Sequence, residues 1–270
     1  MCPPSRKGGF YTKCNADTKL PPKKKSPDAI NVPPFETNDL RRNLVVFLNT
    51  EFYDPIIKKK VKVGDFKWGV YAFFDYDGEP IYIGQTSEKL RTRIRRHLTN
   101  QRTDAVAMSV LDPFEVLEIQ VWPLPQFQEV SGKSKKTKAY IDAKAHLDAL
   151  ENLIYRQSLK DSQFDAVLNE KDPPTPTVKV KVPPSLRSRI VSEEVHKLRS
   201  HPDFRTARRA QIIARLAQVI SEREVQGGLR RVLVTQAKRL LWLAVRRYEA
   251  LGGPTSVKQE EEGEDDNDGS

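Results

Sequence analysis

Five side chains have the types and spacing for chemistry: two phenols, a guanidinium, an imidazole and a carboxylate. Tyr71 lies in the run Trp68-Gly-Val-Tyr-Ala-Phe-Phe74, and Tyr82 in Pro80-Ile-Tyr-Ile-Gly84. Both runs alternate with period two, and Asp77-Gly78 between them is a strong turn signal, so they read as a hairpin. Alternation sends Tyr71 and Phe73 to one face of the first strand, and Val70, Ala72 and Phe74 to the other. On the second strand Ile81 and Ile83 share a face, with Tyr82 opposite. A two-residue turn sets Phe73 across from Tyr82 and makes Tyr71 its diagonal neighbour, which brings the phenols within about 7–8 Å. An aromatic pair in an ordinary hairpin has the same pattern.

The cations sit on the next element. Residues 87–100 read as a helix with Leu90, Ile94 and Leu98 as its apolar stripe. Arg93 and His97 are four apart and share a face beside that stripe. Arg91 and Arg95 are each two residues from Arg93, roughly 200° around the helix, and point toward solvent or phosphate. The carboxylate comes later, in a helix over about 139–159. With Leu147, Ala143, Leu150 and Ile154 marking the apolar face, Glu151 falls at its edge. A carboxylate there is costly unless paired or metal-bound; a salt bridge to an arginine and a metal site both meet that need. Asp148 has an easier route to water, and His146 lies off the apolar face, where a structural role suffices.

These residues need a compact frame. A third strand is expected over about 114–122, with Leu117, Ile119 and Val121 facing in and Glu118 and Gln120 out. The order β-β-α-β-α over roughly 100 residues is α+β, a small three-stranded antiparallel sheet flanked by helices. Upstream, Thr37 or Asn38 could cap a short helix with Leu40, Leu44, Phe47 and Leu48 on one face, and 55–63 read as a basic connector. The expected divisions are a disordered basic arm over 1–35, a helical extension over 36–63, the α+β domain over 64–172, a proline-rich linker over 173–184, a basic helical domain over 185–253 and an acidic tail over 254–270.

The 270 residues carry a net charge of +10, and seven acids crowd into the last eleven residues, so the rest of the chain stands at +17. Over 185–252 the net is +9. Such a balance favours a polyanion, nucleic acid before anionic membrane. No run of about 18 apolar residues indicates a membrane span, and 1–25 lack the apolar core of a secretory signal. The only cysteines, Cys2 and Cys14, lie in the basic arm, so a disulfide scaffold is excluded and a reducing cytoplasm is expected. His196 and His201 have finger-like spacing, but those cysteines are remote, so zinc is rejected.

The segment Gly69-Val70-Tyr71, ten further residues, then Tyr82-Ile83-Gly84 resembles the paired motif of the GIY-YIG endonuclease superfamily, with valine for isoleucine in the first tripeptide. The run Leu90-x-x-Arg93-x-x-x-His97 is similar to the family's helix with its arginine and frequent histidine. Glu151 matches the family's metal-binding glutamate, and Asn169 fits the asparagine that often closes the domain, though far from Glu151. The resemblance spans about 64–172.

It implies a DNA endonuclease that hydrolyses phosphodiester bonds, with a restriction or other defence enzyme as the leading form. Alternatives are a repair or mobile-element (homing-type) nuclease on the same core, or a non-catalytic DNA-binding protein on a nuclease fold. The implied catalytic set is Tyr71, Tyr82, Arg93, His97, Glu151 and Asn169. Tyr71 would be the general base, which requires its phenol to be lowered from an ordinary value near 10, for instance by Arg93. Tyr82 would orient water or hold phosphate, Arg93 would contact the scissile phosphate, and His97 would assist. Glu151 would hold one divalent cation, Mg²⁺ with Mn²⁺ as the alternative. The implied partner is double-stranded DNA, with Arg91, Arg95, Arg96, Lys133, Lys135 and Lys136 as candidate contacts; a homodimer is compatible with it. Relatives often carry Lys or Arg after the second glycine, where this chain has Gln85.

Overall fold

The computed structural model describes residues 35–99, 111–131, 135–223 and 227–254. The basic arm, Lys133 and the acidic tail lie outside them.

The first helix, α1 (Phe35–Asn49), buries Leu40, Leu44, Phe47 and Leu48, the stripe its sequence marks out. The stretch 55–63, read as a connector, instead holds the turn and second strand of a hairpin, β1 (Glu51–Asp54) paired antiparallel with β2 (Lys59–Lys62). Its composition hid it: lysines dominate the second strand, and of its apolar side chains only Phe52 and Val61 are partly buried, against the main core.

Next come β3 (Gly69–Phe74) and β4 (Pro80–Thr86), then α2 (Leu90–Leu98), β5 (Glu118–Pro123) and the long α3 (Lys138–Asp161). Residues 186–189, expected to be helical, form β6 (Leu186–Arg189). The sheet is therefore four-stranded and antiparallel, in the order β4-β3-β5-β6. Three helices follow: α4 (Glu193–Arg199), α5 (Pro202–Glu222) and α6 (Gly227–Ala250). The α+β class and the C-terminal helices stand as expected.

The sheet is covered on both faces, so β3 is buried at every position. Tyr71 and Phe73 pack on one side with Leu90, Ile94 and Leu98 of α2, together with α1, α5 and α6. Val70, Ala72 and Phe74 pack on the other with Ala143, Leu147, Leu150 and Ile154 of α3. Phe73 faces Tyr82 across the hairpin, but the turn is not the two-residue one expected: the Asp75 N–H donates to the Glu79 carbonyl, and the register shifts between Phe73 and Phe74. That bulge turns Ile81 to the Tyr71 side while Ile83 stays with α3, so the two isoleucines do not share a face.

The chain does not part at 173–184 into a sheet domain and an independent helical one. Besides β6, three arginines of the last two helices are buried against the β3–β4 turn. Asp75 is fully buried and accepts from Arg239 (2.5 Å) and Arg209 (2.8 Å); Arg205 lies 3.4 Å away and pairs with Asp77. Arg209 also donates to Glu115 at 3.2 Å. Part of the basic excess of these helices is thus interior, because acids from a distant turn meet it.

Candidate active site

The site forms where the two covered faces meet around β4, an edge strand. Tyr71 reaches from β3 over Gly84. A Cβ at Gly84 would lie 2.5 Å from the Tyr71 hydroxyl, so only glycine admits the phenol there. Gly69 has a similar reason: its Cβ would lie 2.8 Å from the Trp122 carbonyl of β5. The two motif glycines are packing requirements of this tyrosine and this sheet.

Tyr71 is fully buried, and its hydroxyl lies 3.0 Å from Nε2 of His97. Nε of Arg93 donates to the same oxygen at 3.3 Å. The helix phase read from Leu90, Ile94 and Leu98 therefore places Arg93 and His97 correctly. Tyr82 is half-buried; its ring lies 6.3 Å from that of Tyr71 and 5.2 Å from the His97 imidazole. Burial pushes the Tyr71 phenol well above its ordinary value, Tyr82 adds to the rise, and Arg93 only partly opposes it. Arg93 alone therefore does not lower the phenol: loss of water outweighs one cation. The Tyr71 hydroxyl accepts from Arg93 and shares a hydrogen bond with His97 Nε2.

Glu151 is buried on α3. Its partner is not an arginine. Gln85 of β4 donates from Nε2 to both Glu151 (2.7 Å) and Asp148 (2.7 Å), while its carbonyl oxygen accepts from Lys144 at 3.2 Å. Lys144 also pairs with Asp148. Burial raises the Glu151 carboxyl to about 7, with Lys144 and Gln85 as the main opposing influences. The spacing of Lys144, Asp148 and Glu151 is a polar stripe at i, i+4 and i+7, a signal available in the sequence. Gln85 could be tied to it only through the fold.

Asn169 clamps β4. The Ile83 N–H donates to Asn169 Oδ1 (3.0 Å), and Asn169 Nδ2 donates to the Ile83 carbonyl (2.7 Å). This satisfies the edge strand beside Tyr82 and brings the following segment over the site. A cleft of about 310 Å³ results, lined among others by Tyr82, His97, Glu151, Asn169, Lys171 and Pro173. Tyr71 lies beneath it, in contact with His97.

The candidate DNA contacts divide. Arg91 is turned inward: it donates to the Leu48 carbonyl (3.1 Å) and Asn49 (2.9 Å), and lies 3.7 Å from Asp65. Its reading as a solvent or phosphate contact is corrected, since the end of α1 fills the space on that side. Arg96 pairs with Glu88 at 2.8 Å. Arg95, Lys135 and Lys136 are exposed. His146 packs its ring 5.2 Å from Phe127, and His201 caps α5 by accepting from the Asp203 N–H.

One buried carboxylate lining a cleft of this size would suit a hard cation that keeps most of its water, as Mg²⁺ does. Among the described residues no three His, Cys, Asp or Glu side chains gather as a fuller metal cage. No helix among them is long and apolar enough to cross a membrane.

No curated protein and no solved structure matches the chain. Residues 67–140 match the family model described as the GIY-YIG catalytic domain, a stretch that holds both tyrosines, Arg93 and His97 and stops short of Glu151. The stretch that holds the buried phenol, its two motif glycines and the α2 cations is therefore similar to a GIY-YIG catalytic domain.

Proposed function

We propose that this protein is a divalent-metal-dependent DNA endonuclease that hydrolyses phosphodiester bonds in double-stranded DNA, with Mg²⁺ as its ion and restriction or another defence role as its task. The observation that carries the reading is the hydrogen-bonded set Arg93–Tyr71–His97, whose His97 lines one cleft together with Tyr82 and Glu151. Phosphodiester hydrolysis needs a base near the attacking water, positive charge at the phosphoryl oxygens and help for the leaving oxygen.

Arg93 supplies fixed positive charge, held by its bond to Tyr71. His97 lines the cleft and would take the Tyr71 proton at Nε2 as Tyr71 takes one from the attacking water. Tyr71 itself becomes a base only if its proton leaves through His97. Tyr82 borders the cleft and positions the water or the phosphate. Glu151 would hold the cation, with Gln85 fixing its carboxylate, and a bound cation would stabilise charge on the phosphoryl oxygens. The large basic excess outside the catalytic stretch supports DNA as the partner.

Purified protein incubated with Mg²⁺ and mixed plasmid and genomic DNA should cut, and sequencing the ends should show whether cleavage follows a fixed site. A defence nuclease gives one short recurrent sequence. Absence of cleavage with Mg²⁺ and Mn²⁺ would refute the enzymatic reading.

A further inference from the structure

The β1–β2 hairpin has no part in the site, yet its tip breaks a general rule. Turn residues are normally polar or small. Here the turn is Pro55-Ile56-Ile57-Lys58, with Ile56 61% and Ile57 54% exposed, and Tyr53 on the adjoining strand is 57% exposed. The isoleucines are presented rigidly. Asp54 is buried and its Oδ1 accepts from the N–H groups of Ile56 (2.8 Å) and Ile57 (3.3 Å). Lys58 and Lys59 follow them at the turn, Lys60 and Lys62 continue along β2, and Lys60 pairs with Glu51 at 3.3 Å. Lysines on an exposed strand edge can simply discourage pairing with another chain. That does not account for two isoleucines held in water at the tip.

The other face of the hairpin is anchored. Phe52 packs edge-on against Phe66 at 5.8 Å, and the Val63 N–H donates to the Thr50 carbonyl at 2.9 Å. Phe66 in turn accepts from the Leu90 N–H at the start of α2, and Arg91 ties α2 back to Leu48 and Asn49. The ribbon is thus braced on the helix that carries Arg93 and His97.

We infer that the β1–β2 hairpin is a DNA-groove probe: its lysines neutralise backbone phosphates, and Ile56 and Ile57 wedge against a base step. A two-stranded ribbon fits a DNA groove, and apolar wedges at base steps kink the duplex. Charge complementarity selects this occupant: over residues 51–62 four lysines oppose one exposed acid, Glu51, while Asp54 is buried in the turn. The inference rests on the DNA-nuclease reading, but the two can fail separately.

The test uses the full chain in EDTA with a linear duplex of mixed sequence labelled at both ends, so that binding and bending are read together. Replacing Lys58, Lys59 and Lys62 with Gln should flatten the slope of log K against log salt by about 0.9 for each phosphate no longer neutralised, up to about 3 in all. Ile56→Ser with Ile57→Ser should keep that slope and remove the bend seen as energy transfer between the duplex ends. Wild-type slope in the lysine variant, or wild-type bending in the isoleucine variant, overturns the inference. So does a result in which the isoleucine variant loses only binding to phosphatidylserine vesicles, which would make the tip a membrane probe. Plasmid cleavage with Mg²⁺ is scored separately. A protein that bends DNA through the hairpin but never cuts it refutes the nuclease reading alone; one that cuts with an inert hairpin refutes only this inference.

Discussion

Burial raises the Glu151 carboxyl to about 7, so the folded protein holds that proton far more tightly than an unfolded chain with its value near 4.5. A carboxyl raised in the folded state weakens the fold as it ionises. Stability contributed here is greatest below pH 4.5, falls as pH rises toward 7, and then levels. Glu151→Gln should therefore abolish cleavage yet raise metal-free stability at pH 8, by up to about 3 kcal/mol. The gain should shrink toward zero at pH 4.5. Thermal melts of both proteins in EDTA across that range check it, and a gain that grows toward acid pH would contradict it. Tyr71→Phe and Arg93→Ala should each lower single-turnover cleavage by at least about 100-fold, the scale of base and charge-stabilising groups. In Tyr71→Phe the pH profile should also shift, because His97 loses its hydrogen bond to the phenol.

Elements hold these residues through contacts that the motif alone does not suggest. Asn169 completes the edge of β4 with two hydrogen bonds to Ile83. Asn169→Ala leaves a buried N–H and carbonyl without that partner, at about 1–3 kcal/mol each. We expect a lower melting temperature and faster amide exchange at Ile83, with cleavage reduced through disorder of Tyr82. Arg91 is the counterpart on α2: Arg91→Ala should lower stability by about 1–3 kcal/mol by freeing the Leu48 carbonyl. Its single-turnover rate should stay near wild type, since Arg91 points away from the Tyr71 hydroxyl. Loss of rate equal to that of Arg93→Ala would show that α2 must be held by α1 for chemistry as well.

At the scale of the whole molecule, the last two helices close the fold from the far end of the chain. Arg209 and Arg239 meet Asp75, where water is excluded and a lone charge is costly. Removing one side of such a set leaves the other buried without compensation. Asp75→Asn should destabilise by about 3–5 kcal/mol, measured by denaturant unfolding. A chain ending at Asp172 lacks β6, α5 and α6, strips their apolar cover from the sheet, and leaves Asp75 without its arginines. Its circular dichroism should show no cooperative melt. A folded truncation would show that the sheet and its first three helices are self-sufficient.

What the sequence alone determined is what local periodicity carries. The period-two run through Tyr71, the turn at Asp77-Gly78, the Leu90/Ile94/Leu98 stripe and the edge position of Glu151 all follow from spacings within one element or one hairpin. Those are the spacings that put Tyr71, Arg93 and His97 together. Tertiary structure decided the rest, because it depends on which distant segments meet. Leu186–Arg189 is a strand only because the exposed edge of β5 accepts it. Arg205, Arg209 and Arg239 are interior only because Asp75, Asp77 and Glu115 await them. Gln85 binds two carboxylates only because α3 lies across the edge strand. The Tyr71 phenol is raised rather than lowered for the same reason: proximity of a cation can be read from helical spacing, but the exclusion of water that outweighs it is a property of the closed fold.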